Sequence, residues 1–460
     1  MQVIADLHLH SPYARAVSKN ITLEKMAEWA QKKGIDLITP ADWTHPIWLA
    51  ELKNNLIEVN EGIFKLRLET GGQRLDQVSE PHFLLSTEVS CAYHQEGRYH
   101  AVHILIFAPN LETVGKINKK LKELGQNLLS DGRPILNLSC RDLAAHVLDI
   151  DSNCLLIPAH AWTPWFGFYG AHGGFDSLDD AFKDYTKYIY AVETGLGSDP
   201  AMNWRIKELD NRNIVSFSDA HSLPKIGREA TVFEVPELTY GNIKEAIVNK
   251  PEARGQRLET RKKKNLASSF QPQISCTFEF YREEGKYHYT GHRKCGVSFS
   301  PEETKKIGLT CPVCWKKLTV GALQRTEDLA VRGESINCKL DINSVRRVYS
   351  KNGSRPPFVN FVPLQEILSE VLQVGVGSKK VQTEYERLVS GLAPEFDILL
   401  NTPLGNIEKF GGERLREAMG KVREGNIFVK PGYDGIFGTV SIWPHGEEQK
   451  LEKPRQESIF

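Results

Sequence analysis

Cysteine, long apolar runs and excess charge are all scarce in this chain. Eight cysteines in 460 residues are too few for a disulfide scaffold. Two of them form the pair Cys311-Pro312-Val313-Cys314, which favours a metal ligand set in a reducing compartment. No apolar stretch approaches the roughly 18 residues of a membrane span. Met1-Gln2-Val3-Ile4-Ala5 runs straight into charged Asp6, without the regions of a signal peptide. These absences lead us to expect a soluble, cytoplasmic protein. Lysine plus arginine equal aspartate plus glutamate at 58 each, a balance that argues against a general nucleic-acid binder.

The balance hides a gradient. Residues 1–250 hold 25 basic against 32 acidic side chains, residues 251–360 hold 21 against 11, and residues 361–460 hold 12 against 15. Positive charge gathers in the middle, at Arg261-Lys262-Lys263-Lys264, Arg293-Lys294, Lys305-Lys306, Lys316-Lys317 and Arg346-Arg347. Such a segment suits a polyanion, and Arg261, Lys262, Lys263 and Lys264 are the densest expected contact for one.

What is present is metal chemistry. Asp6-Leu7-His8-Leu9-His10, Pro158-Ala159-His160 and Ser218-Asp219-Ala220-His221 each follow or contain a short apolar run that reads as a buried strand. His8 and His10 are two apart, so an extended chain points both rings to one face, and Asp219 and His221 repeat the spacing. Glu88, after Phe83-Leu84-Leu85, and His103, opening His103-Ile104-Leu105-Ile106-Phe107, fit the same picture. Imidazoles and carboxylates hold Zn, Mn or Fe at neutral pH, and strand ends are where α/β barrels place their chemistry.

This set resembles the PHP family of metal-dependent phosphoesterases. The resemblance implies a distorted (β/α)7 barrel over residues 1–255 holding two or three divalent metals (Zn, Mn, Mg or Fe) through His8, His10, Glu88, His103, His160, Asp219 and His221. Thr39-Pro40-Ala41-Asp42-Trp43 stands where the family shows Thr-Asp-His, which makes Asp42 a further ligand, with His45 nearby as another candidate.

The barrel should end after a helix around Tyr240 to Val248, and residues 260–269 read as a basic linker. His292-Arg293-Lys294-Cys295 and Cys311-Pro312-Val313-Cys314 then present two ligand pairs separated by fifteen residues, the spacing of a closed structural zinc site. Whether His288 or Cys276 replaces His292 stays open. The zinc module is expected over 256–345 and a helical domain over 346–460, where Pro363–Leu372 and Lys379–Ser390 are amphipathic around the break Val374–Ser378. A helix, glycine turn and helix can direct backbone N–H groups at a phosphate, or simply pack.

Trp162, Pro164, Trp165, Phe166, Phe168 and Tyr169 follow His160 as a dense aromatic loop. Their rings can stack on nucleobases or cap the barrel. Residues 11–20, 191–200, 202–205 and 227–231, with Pro431-Gly432-Tyr433-Asp434-Gly435, are similar to the endonuclease Q family of DNA repair nucleases. That resemblance implies hydrolysis 5′ to a deaminated base (uracil, hypoxanthine, xanthine) or abasic site by metal-activated water. Glu88 would bridge metals, Asp219 would serve the reaction as a metal ligand, Asp199 would be the unliganded acid near the site, and a metal, Arg15 or Lys19 would stabilise charge, with Asp199 equally able to cap a helix. Trp162, Trp165, Phe166 and Phe168 would receive the flipped base. Damaged DNA is the implied partner, with replication or repair proteins beside it. The rival readings are a small-molecule phosphatase similar to histidinol phosphatase and a non-catalytic DNA-binding protein.

Overall fold

The computed structural model describes residues 1–67, 81–250 and 270–444. Arg261, Lys262, Lys263 and Lys264, the linker and the expected boundary at 255 lie outside the described residues. No helix among the described residues is long and apolar enough to cross a membrane.

Short strands rich in β-branched and aliphatic residues build the first half: β1 (Gln2–Asp6), β2 (Leu37–Ile38), β3 (Leu56–Asn60), β4 (Ile63–Leu66), β5 (His82–Phe83), β6 (Ser86–Gln95), β7 (Arg98–Phe107), β8 (Ile135–Leu136), β9 (Leu155–Pro158), β10 (Ala191–Glu193), β11 (Asn213–Val215) and β12 (Ala230–Glu234). β1 pairs in parallel with β2, and β2 with β5, while β12 runs antiparallel along the other side of β1. The β6–β7 hairpin turns through Glu96 and Gly97, both with positive φ (51° and 76°), the turn geometry whose twist matches the flanking strands. With β8 and β9 it makes a four-stranded sheet, and β10 and β11 form a parallel pair.

The sheets meet edge to edge. Ser86 Oγ donates to the Leu7 carbonyl at 2.6 Å, the Ala161 amide to the Glu193 carbonyl at 3.0 Å, and Leu9 bridges Ala220. One apolar cluster draws Val3, Ala5 and Leu7 together with Leu37, Leu105, Ile157, Ala191, Val215 and Phe233, one interior shared by β1, β2, β7, β9, β10, β11 and β12. Amphipathic helices cover the outside. Leu23–Lys33, for example, starts at a Thr22 cap accepting from the Lys25 amide, and stops at Gly34 in the left-handed region (φ 80°).

The ten-stranded sheet does not stop where the barrel was expected to end. β13 (Gln273–Glu279) pairs with β12 and with strand Phe358–Asn360, and strands Arg346–Ser350 and Ile336–Leu340 complete that side. The segment after 345 therefore begins as sheet and turns helical only at Leu364, with helices Leu364–Leu372, Lys379–Gly391, Glu395–Leu400, Leu404–Gly411 and Glu413–Glu424.

Candidate metal centre

The ends of the interior strands converge on two groups of ligand atoms, each gathered within 4.8 Å. His8, His10, Glu88 and Asp219 form one, and Glu88, His103 and His160 form the other. Glu88 belongs to both. Its Oε2 lies 3.6 Å from His8 Nε2 and 3.4 Å from His10 Nε2, while its Oε1 lies 2.7 Å from His103 Nδ1 and 2.9 Å from His160 Nε2. Asp219 Oδ1 completes the first group at 3.0 Å from His10 Nε2. A carboxylate between two sets of imidazole nitrogens has the disposition of a bridge between two ions. His8 Nε2 is buried without a hydrogen-bond partner, a cost that a bound ion would remove. The donor set suits Zn, Mn or Fe.

Electrostatics keep the carboxylates ionised, while against burial the surrounding carboxylates raise His8, His10 and His160 above the ordinary imidazole value, so an ion bound there would displace protons. Burial acts to raise both carboxylates, yet His103, Arg133 and His8 hold Glu88 well below the usual range, and His8, His10 and His221 do the same for Asp219. Burial pushes His103 down to about 4, so its ring is neutral at physiological pH.

Positive φ values concentrate here, at Ala41 (59°), Asp42 (41°), His160 (29°) and Asp219 (47°), the kind of backbone that functional sites hold against its own preference. Gly195 (φ 68°) passes so close to His160 that a Cβ would collide with the His160 backbone and Cβ.

The remaining candidates separate. Asp42 joins neither group: its Oδ1 lies 3.2 Å from His10 Nδ1 and its Oδ2 accepts from the amide and hydroxyl of Ser11, both at 2.7 Å. It orients His10 from behind. His221 also stands outside both, its ring centroid 4.7 Å from that of His10 and its Nδ1 on the Asp219 carbonyl at 2.9 Å. His45 points its Nε2 at the Leu129 carbonyl at 3.2 Å. Asp199 accepts from the Met202 amide at the start of helix Pro200–Asn203 and pairs with Arg282 at 3.1 Å, so the cap is the arrangement found. Lys19 donates to the Pro12 carbonyl and Arg15 pairs with Asp131 at 3.3 Å, in a loop tied to the site by the Ser18 amide on the His221 carbonyl at 3.1 Å.

His103 does not open its strand; it is the sixth residue of β7, opposite Ser90. Two residues were missed by sequence reasoning. Glu193 accepts from His8 Nδ1 at 2.9 Å and from the His160 amide at 2.6 Å, so one buried carboxylate fixes a member of each group. Its place at the end of β10 was the available signal. Arg133, 3.2 Å from Glu88 Oε2, sits in a loop with no pattern to mark it.

The aromatic loop divides too. Trp162 (1% exposed) and Phe168 (0%) are core residues, with the Trp162 indole donating to Asn203 Oδ1 at 2.9 Å, so neither presents a face to a base. Trp165 (40%) and Phe166 (43%) remain exposed, and Phe166 stacks on His103 with centroids 4.7 Å apart.

In the middle segment His292, Cys295, Cys311 and Cys314 bring their ligand atoms within 4.8 Å of one another. His292 and Cys295 come from the hairpin Thr290–His292/Val297–Phe299, and the opposite turn is closed by the Trp315 amide on the Cys311 carbonyl at 2.9 Å. His288 instead bonds the Gly197 carbonyl at 3.0 Å, and Cys276 is buried in β13, so neither joins the group.

Buried imidazoles and carboxylates sharing one glutamate at the strand ends are the centre of a metal-dependent hydrolase. The lesion-specific endonuclease PfuEndoQ of Pyrococcus furiosus has the same fold over the whole of both chains at TM-score 0.77 and 29% identity. Endonuclease Q solved with a 27-mer duplex bearing an abasic lesion at the active site matches at TM-score 0.77 and 30% identity, over 98% of this chain and 99% of that one. The chain belongs to the endonuclease Q family. Residues 363–426 match the family described as the MJ0043 C-terminal domain. MJ0043 of Methanocaldococcus jannaschii is 29% identical over 305 residues, 65% of this chain, and the chain covers 33% of that curated relative's length.

Proposed function

We propose that the protein is a DNA repair endonuclease that hydrolyses the phosphodiester 5′ to a deaminated base or abasic site. The observation that carries this is Glu88 shared between two ligand groups at the mouth of a fold that a related enzyme uses on an abasic duplex. The three joined sheets form the wall of a distorted (β/α)7-type barrel, and His8, His10, Glu88, Asp219, His103 and His160 would hold two divalent ions, with His221 placed beside them for a third. Such ions supply Lewis-acid charge at a phosphate and acidify a water.

The chain's own residues do the rest. Glu193 and Asp42 fix the His8 and His10 rings, and Arg133 sets Glu88. Phe166 and Trp165, the exposed rings beyond His160, flank the damaged nucleotide, whose unpairing costs less than extruding a normal base. His292, Cys295, Cys311 and Cys314 hold a structural zinc, and Arg261, Lys262, Lys263 and Lys264 add affinity along the phosphate backbone.

The test is incubation of the purified protein, with Mn, Mg or Zn, on end-labelled duplexes carrying one uracil, hypoxanthine or abasic site. Cutting 5′ to the lesion is expected. Absence of cutting on every lesion, with release of phosphate from small phosphomonoesters, would replace this reading by the phosphatase.

A further inference from the structure

Exposed and half-buried aromatic rings continue outward from the metal centre. Phe166 stacks on His103, and the adjacent Trp165 stacks on His172 at 4.9 Å and meets the edge of Tyr287 at 5.2 Å. Lys286 Nζ then lies over Tyr287 (5.5 Å) and over Phe437 (5.9 Å), whose ring is 60% exposed. Burial and the charge of Lys317 both hold the His172 imidazole below its ordinary pKa, which brings a second lysine to the same strip.

Phe437 belongs to the glycine-rich segment 430–438. The structure gives that segment a holding role. Tyr289 donates to the Gly432 carbonyl and Gly435 to the Lys286 carbonyl, at 2.9 and 2.8 Å. Asp434 accepts from the Arg293 amide at 2.7 Å and from Thr319 Oγ1 at 2.6 Å. The Gly438 amide donates to the Glu284 carbonyl at 3.0 Å, and a Cβ at Gly438 would strike the Glu283 carbonyl. A large apolar ring left outside on so tightly held a segment is displayed by the fold.

We infer that Phe166, Trp165, Tyr287 and Phe437, with Lys286 between them, form a ledge that stacks unpaired nucleotides adjoining the lesion. The inference rests on the endonuclease reading and deepens it: the substrate class is a lesion within a locally unpaired strand. Base faces match exposed rings irrespective of sequence, and lysines set among the rings match the phosphates of the same strand, a combination typical of single-strand binding. The continuity with His103 puts the ledge and the ligand groups on one path.

The test uses the full-length protein without added divalent metal and measures binding to an abasic strand in two contexts, fully paired and within a bubble of about six nucleotides. Phe437→Ala is expected to weaken bubble binding about tenfold and paired binding much less, with Phe437→Trp restoring it and Phe437→Leu not. Equal affinity of all three variants for the bubble, or equal losses on both substrates, would overturn the ledge. Zinc content of each variant checks that the held segment is intact. Metal-dependent cutting of the paired lesion by the wild-type protein separates the two readings. Cutting with no effect of Phe437→Ala removes the ledge alone, whereas a bubble-selective loss without any cutting leaves a ledge and removes the endonuclease.

Discussion

At the scale of single residues, Asp219 shows how backbone and chemistry are joined. It is half-buried against His8 and His10 with φ 47°, a conformation that asparagine tolerates better than most residues. Asp219→Asn is therefore expected to abolish cutting while the thermal midpoint stays near wild type. Retained cutting with unchanged metal content would remove Asp219 from the ligand set. Glu193→Gln keeps the shape but weakens the carboxylate's hold on the His8 ring, and should lower metal affinity on the order of 10- to 100-fold by titration. No change there would leave Glu193 a packing residue. His8, His10, His103, His160 and Glu88 come together as their residue types at strand ends suggest, whereas His221 and His45 share the residue type without joining either group. Asp42 was legible as part of the site, yet its position behind His10 depends on where the Ser11 turn places its donors, and no spacing rule encodes that.

Elements were read with mixed success, and the failures have a common cause. Strand runs and the helices at Tyr240–Val248, Leu364–Leu372 and Lys379–Gly391 are local patterns, and they stand where periodicity put them. The loop after His160 is aromatic throughout, so composition could not separate Trp162 and Phe168, turned into the core, from Trp165 and Phe166 at the surface. The two ligand pairs of the middle segment were legible because each lies in a tight turn. Cys311→Ser should cost the segment about one bound zinc per chain and loosen it as a unit, since such a site contributes directly to folding. Mass spectrometry of the native protein and protease susceptibility around 290–320 read this out. Full zinc retention would mean that another residue completes the set.

The whole molecule is knitted by a strand that the sequence did not announce: β13 extends the first sheet into the later one through long-range pairing, which local patterning cannot report. Its last residue, Glu279, reaches back under the interior strands, accepting from Thr277 Oγ1 and, at 2.5 Å, from Ser216 Oγ. Beside it both carboxylate oxygens of Glu229 are buried without partners. Burial pushes Glu279 up to about 8, and burial together with Glu279 raises Glu229 well above the carboxylate range, so the folded protein holds these acids protonated. The unfolded chain releases the Glu279 proton near its ordinary value of 4.5 and the folded chain only near 8. Between those values the folded state binds more protons, so stability is full below the lower value and is lost as pH rises through the upper one. The thermal midpoint should fall steadily from about pH 5 to about pH 9. Glu279→Gln keeps both accepted hydrogen bonds without an ionisable group, and should flatten that slope. An unchanged slope in this variant would mean that Glu279 is ionised in the fold and that the joint between the two parts of the sheet carries a buried charge.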